Sequence, residues 1–305
     1  MKKTLKIGIT ITVIMMLVGC SSAKKDVYNK VTPSSSDTTS ENNSLSSEKS
    51  QSQSKDESTN IKDTNSDLSE SIDTTESPFE KGYYDYRGTI NTNIPIRMSI
   101  YPLGKDMVGT YYYEKNKNET EIRLQGKSGK ENIVLYEYDE MGKKTGVFYG
   151  TMSTTDKIEG TWISSDNKRS HPFVLSLDSI ITGVEYGKRY SLVAGNKSDE
   201  DIENFFSKIK NYIVNDNKVK LAEEIQYPIN VKINSELIQI KDKDDLINNY
   251  DQIFNADYKQ LISNSPTKYL FVNYQGIMLG NGEIWVNNVI QPDNNSKLMI
   301  TAINN

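Results

Sequence analysis

The sequence of 305 residues holds one cysteine, one histidine and two tryptophans. A lone cysteine, Cys20, excludes an intrachain disulfide, so oxidation state cannot contribute to the fold. A lone histidine, His171, has no partner imidazole, and a metal centre would need further ligands close to it. No metal and no cofactor is expected. Basic residues do not outnumber acidic ones (36 Lys and Arg against 41 Asp and Glu). No basic stripe stands out either, which argues against nucleic acid as a partner. The apolar run 7–18 is shorter than the roughly 20 residues a spanning helix needs. No nucleophile–base pair or carboxylate pair has diagnostic spacing, so no catalytic residue is assigned.

What is present begins at the N-terminus. Lys2, Lys3 and Lys6 precede the apolar run, and Leu17-Val18-Gly19-Cys20 follows it. This order of basic, apolar and small residues is that of an export signal. The last four residues resemble the lipobox of bacterial prolipoproteins. That resemblance implies a signal peptide over 1–19 and cleavage before Cys20. It also implies a diacylglyceryl group on the Cys20 thiol, whose thiolate is the nucleophile. Each buried CH₂ contributes about 0.8 kcal/mol, so two acyl chains hold stably where one holds reversibly. The implied location is the extracytoplasmic face of a cell membrane. The Lys-, Asn- and Ile-rich composition leans toward a Gram-positive envelope.

Residues 20–78 form the lipidated terminus and a linker of Ser, Thr, Asp, Glu, Asn and Lys. Such composition cannot offset the entropy of ordering, so a disordered tether is expected, with order from Phe79. A coil of about 58 residues reaches roughly 40 Å.

Eight short β runs are predicted in the span 79–182, over 82–91, 94–102, 107–114, 119–126, 132–139, 145–153, 157–164 and 170–177. Ile94, Ile96, Met98 and Ile100 alternate onto one face, as do Phe173, Leu175 and Leu177. Eight antiparallel strands with tight turns predict an all-β meander closing into a barrel, because closure removes exposed edges. Gly-Thr-aromatic recurs at Gly109-Thr110-Tyr111 and Gly160-Thr161-Trp162. These short motifs resemble avidin- and lipocalin-like barrels, and only the architecture is carried over. The bulky inward set predicts a filled barrel, with Trp162 in its core. Tyr111 and Tyr113 share one face and Tyr112 takes the other; they fit either a binding surface or plain strand propensity. His171 reads as an edge or loop residue.

Residues 183–198 read as a connector cleavable by protease, broken by Gly183, Gly187 and Gly195. An α+β domain is predicted over 199–305. Ile202, Phe205, Phe206, Ile209 and Ile213 have helical spacing behind a Ser198 cap. Further helices are expected over 218–225 and 242–254, and strands over 229–240, 269–277, 283–290 and 298–303. Tyr227-Pro228-Ile229-Asn230-Val231 and the segment from Gly276 to Trp285 resemble the envelope branch of the nuclear transport factor two-like cones. That superfamily holds isomerases and many non-catalytic binding modules. Asp251 beside Tyr250 could be offered as a base and donor, but neighbouring helix residues diverge by about 100°. Trp285 is expected in the core.

The leading expectation is therefore a multidomain, membrane-anchored envelope lipoprotein without enzymatic activity. Its partners would be the lipid bilayer and a cell-wall component, a small ligand or an envelope protein. The alternatives are an isomerase or hydrolase using the C-terminal cone, and an assembly factor that contacts only proteins.

Overall fold

The computed structural model describes residues 71–116 and 118–305. The signal segment, Cys20 and most of the tether lie outside the described residues. Within them, order begins before Phe79: a short turn of helix spans Thr74–Glu76, capped by the Asp73 carboxylate. Its neighbour Ile72 explains this, since it covers Val134 and Val147 on the outer barrel wall. The apolar side chain gives the end of the tether something to bury.

Eight antiparallel strands follow: β1 (Gly82–Ile90), β2 (Ile94–Leu103), β3 (Asp106–Tyr113), β4 (Ile122–Ser128), β5 (Asn132–Tyr138), β6 (Lys144–Thr151), β7 (Lys157–Ser164) and β8 (Ser170–Thr182). Each pairs with the next, and β1 closes on β8 through a bulge at Asp85 and Tyr86. The predicted meander barrel is thus observed as a closed one. Alternation sends Ile96, Met98 and Ile100 inward with Tyr111, Phe148, Trp162 and Phe173, and these bulky side chains fill the interior. Ile94 departs from its predicted face and is 37% exposed, because it sits at the first residue of β2, at the barrel end. Gly146 has a packing reason: an added Cβ would lie 2.7 Å from the Trp162 indole nitrogen, so only bare backbone admits the ring.

The C-terminal part carries α1 (Ser191–Ala194), α2 (Asp199–Val214), α3 (Lys218–Ala222), β9 (Ile229–Ile233), β10 (Glu236–Ile240), α4 (Lys243–Ile253), α5 (Ala256–Asn264), β11 (Phe271–Asn273), β12 (Gly276–Leu279), β13 (Ile284–Ile290) and β14 (Ser296–Ile303). Helix α2 starts where predicted, with a capping box between Ser198 and Asp201. Its face of Ile202, Phe206, Ile209 and Ile213 joins Leu246, Ile253, Ile277, Ile284 and Ile300 in one core. β11 to β14 form an antiparallel sheet in sequence order, and β9 and β10 form a separate hairpin.

Three expectations are corrected here. The single strand over 229–240 is a hairpin, because Asn234 and Ser235 take positive φ of 53° and 68°, the geometry of a two-residue turn. The strand over 269–277 is divided between β11 and β12 by a turn at Tyr274 and Gln275, and α5 was not expected at all. Trp285 is only half-buried: Ile284 and Val286 take the core face, so strand alternation turns the indole to the other side, opposite Met278.

The barrel and the C-terminal part belong to one compact unit. Tyr83, Tyr101 and Ile181, from the outer barrel wall, enter the C-terminal core cluster. The 183–198 stretch is therefore more than a connector: Arg189 and Tyr190 within it are buried.

Candidate functional site

The outer faces of β1, β2 and β3 would meet solvent in an isolated barrel. Here they present Tyr83, Asp85, Ser99 and Thr110 to the C-terminal part. Arg189 lies against them, 2% exposed. Its guanidinium donates to Asp85 Oδ2 at 2.7 Å and Oδ1 at 2.8 Å, and also to the Ser99 hydroxyl. Ser179 adds a bond of 3.0 Å to the same carboxylate. The guanidinium carbon stands 4.2 Å from the centre of the Tyr83 ring. Burial disfavours the Arg189 charge, but Asp85 outweighs it and holds the pKa above the usual arginine value.

A second charged layer adjoins the first. Lys268 Nζ bridges Glu121 at 2.6 Å and Glu203 at 3.2 Å. Glu203 also accepts from the Tyr190 hydroxyl at 3.0 Å and the Tyr269 amide at 3.3 Å. Glu121 accepts from the Thr110 hydroxyl at 2.7 Å, and Thr110 shares a second bond of 2.7 Å with the Tyr269 hydroxyl. Burial raises the Glu203 pKa. Burial pushes Glu121 the same way, but hydrogen bonds from Lys268 and Thr110 outweigh it and leave the pKa lowered. Lys268 is raised, since its two carboxylates more than offset its burial.

These residues bound a cleft of about 440 Å³. Tyr83, Tyr186, Asp199, Glu200, Glu203 and Lys268 contribute to its lining. The volume falls within the range of about 300–1,000 Å³ common for small-ligand sites. Two polar atoms of this junction are buried without a hydrogen-bond partner, the Tyr112 hydroxyl and Asp199 Oδ1.

The residues singled out in the sequence are placed elsewhere. Tyr111 and Trp162 lie inside the barrel, where Glu137 accepts from the Tyr111 hydroxyl at 2.6 Å, the Trp162 indole at 2.9 Å and the Thr145 hydroxyl at 2.5 Å. That carboxylate is a clasp between strands, saturated by donors. Tyr112 faces outward, tilted against Tyr269 with ring centres 5.2 Å apart. His171 is neither edge nor loop: barrel closure places it within β8, opposite and stacked on Trp162 at 5.9 Å. Tyr250 and Asp251 point apart. The Tyr250 hydroxyl donates to the buried Ile213 carbonyl at 3.2 Å, and Asp251 pairs at the surface with Lys218 at 2.8 Å. That bond from Lys218 lowers the Asp251 pKa, opposite to what a general base would need. Among the described residues, no group of three or more His, Cys, Asp or Glu side chains could hold a metal ion.

Sequence reasoning did not find Asp85, Glu121, Arg189, Glu203 or Lys268. Outward positions of β1 and β3 read as solvent-facing, and nothing local marks Arg189 as buried. One signal was legible: Glu203 follows Ile202 on α2, at the border of its apolar face.

No protein-family model and no curated protein matches the sequence. Among solved structures, a de novo designed fluorescence-activating β-barrel aligns at 10% identity with a TM-score of 0.25, over 35% of this chain and 100% of that one. A likeness that low says nothing about what the present chain does.

Proposed function

We propose that this chain is a lipid-anchored envelope protein whose folded region is a non-catalytic binding unit. Its ligand site is the cleft where the C-terminal part covers the barrel wall. The observation that carries this reading is the contrast between a barrel interior filled by side chains and a cleft of about 440 Å³ where charged and aromatic groups converge. The cleft's carboxylates Glu121 and Glu203 are held by Lys268 and by hydroxyl donors, which suits fixed recognition more than proton transfer. The C-terminal order of helices, hairpin, helices and four-stranded sheet supports kinship with the nuclear transport factor two-like cones. The Gly-Thr-aromatic strands support the small ligand-binding barrels as the architecture of the first part.

The lipobox ending at Cys20 supports the anchor. Cys20→Ala is expected to move the protein from the detergent phase to the aqueous phase and to abolish palmitate incorporation. Unchanged detergent partitioning would remove the anchor from the account. The binding reading is tested by nuclear magnetic resonance titration of the full-length protein with a small library of amines, carboxylates and sugars. Perturbations are expected at Tyr83, Tyr186 and Lys268 and not at Tyr111 or Trp162. A library that leaves the cleft resonances unmoved would end it.

A further inference from the structure

We infer that the protein carries a second binding site, which takes an organic carboxylate with an apolar body. The site is a cavity of about 330 Å³ lined by residues of the barrel wall and of the C-terminal part. It shares Lys268 and Tyr269 with the junction cleft and no other lining residue. It does not depend on the cleft being a ligand site.

The carboxylate head is assigned from two arginines. Arg87 and Arg97 line the cavity and stand directly opposite each other in the β1–β2 register, where like charges repel. The bulge between β1 and β8 leaves Asp178 without a cross-strand partner and aims its carboxylate at them. Its Oδ2 lies 3.0 Å from Arg87 Nε and 3.9 Å from Arg97 Nη1, and only the first is short enough for a hydrogen bond. Arg87 is exposed, so water serves its other donors. Arg97 is 9% exposed, and its side chain makes one hydrogen bond, from Nε to Glu114 Oε1 at 3.0 Å. The N–H groups on Nη1 and Nη2 have no acceptor, yet neither nitrogen is shut off from solvent. Asp178 and Glu114 already balance the two positive charges; what Arg97 lacks is a pair of acceptors. A carboxylate supplies two, spaced to match the end of a guanidinium, in bonds roughly twice as strong as neutral ones.

The apolar body is assigned from the C-terminal side of the cavity. Phe271 on β11 and Met278 on β12 are paired across the sheet, on the face turned away from the core that Val272, Ile277 and Leu279 enter. Both are part-exposed, and Leu261 of α5 in the same lining is 52% exposed. An inorganic anion would leave this surface wet, whereas an alkyl or aryl body covers it. The remaining charges are already engaged: Lys268 is held by Glu121 and Glu203, and Glu283 accepts from the Asn281 amide. The ligand class is therefore a free alkyl or aryl acid, or the terminal carboxylate of a peptide ending in an apolar residue, which share this head and body.

The test is equilibrium dialysis of the full-length protein against hexanoate, N-acetyl-leucine, hexanamide, acetate and inorganic phosphate. Magnetic resonance signals of the Arg97 side-chain N–H groups and the Met278 methyl locate the bound molecule. Hexanoate is expected to bind saturably and to shift both signals. Hexanamide, in which one acceptor becomes a donor, should bind at least tenfold more weakly, as should acetate and phosphate, which lack the body. Arg97→Lys keeps the charge but not the paired donors and should weaken hexanoate at least tenfold. Leu261→Glu, at an exposed position that does not threaten folding, should weaken it at least threefold. Equal binding of N-acetyl-leucine would identify a peptide terminus as the source, and binding of hexanoate alone a free acid; either outcome supports the inference. Any of the three controls binding as tightly as hexanoate would overturn it, as would hexanoate binding untouched by Arg97→Lys or by Leu261→Glu. Hexanoate that shifts Tyr186 but neither Arg97 nor Met278 would overturn it in favour of the junction cleft. Silence at Arg97 and Met278 toward every probe would overturn it and leave the cleft reading standing.

Discussion

Arg189 closes a fork on Asp85, 104 residues earlier in the chain, with bonds of 2.7 and 2.8 Å between side chains that are 3% and 5% exposed. The pair joins the barrel wall to the C-terminal part. Breaking a buried ion pair from one side strands the other charge, at a cost of about 3–5 kcal/mol. Arg189→Met is expected to lower the denaturant-unfolding free energy by about that amount. The double variant Asp85→Leu with Arg189→Met should recover much of the loss, because no charge is then left unpaired. A single variant within about 0.5 kcal/mol of the parent would show that the fork contributes little.

The two tryptophans should behave differently. Trp162 is 6% exposed and donates to Glu137, so Trp162→Ala is expected to cost about 3–5 kcal/mol. Trp285 is half-buried beside Met278, and Trp285→Ala should cost about 1–2 kcal/mol. Unfolding curves for the two variants decide this, and equal losses would contradict the placement of Trp285.

Alkaline pH should loosen the junction. Burial raises the Tyr190 and Tyr269 pKa values well above 10.0, and Lys268, although partly buried, is held above 10.5 by Glu203 and Glu121. In each case the folded state keeps a proton that the unfolded chain has released, so the folded state binds more protons and stability falls as pH rises. The loss begins near pH 10, at the unfolded values, and continues toward the folded ones. Denaturation midpoints measured from about pH 8 to about pH 11 should be flat at first and then drop steeply. A flat profile throughout would contradict these shifts.

The barrel was legible because half-buried strands alternate and turn residues punctuate them; all eight strands sit within a few residues of their expected places, with β8 running five residues past its expected end. The hairpin at Asn234 and Ser235 was also written in the sequence, since Asn tolerates a positive φ and the alternation of Ile229, Val231 and Ile233 stops there, but one strand was drawn across it. Trp285 was misplaced for a different reason. Its size suggested the core, whereas Ile284 and Val286 on either side had already claimed that face. Of the junction, only Glu203 at the border of the apolar face of α2 was legible. Tyr83, Asp85 and Thr110 alternate outward like solvent-facing residues, and only a segment far along the chain makes them internal. Arg189 lies between Gly187 and Gly195, where no periodicity marks a buried position.

The account stands most directly on where a ligand sits. A crystal structure of the protein with the tightest-binding small molecule from the titrations would show it. The prediction is density in the junction cleft, against Tyr186 and Lys268. Density inside the barrel, displacing Trp162 or Tyr111 from Glu137, would contradict it.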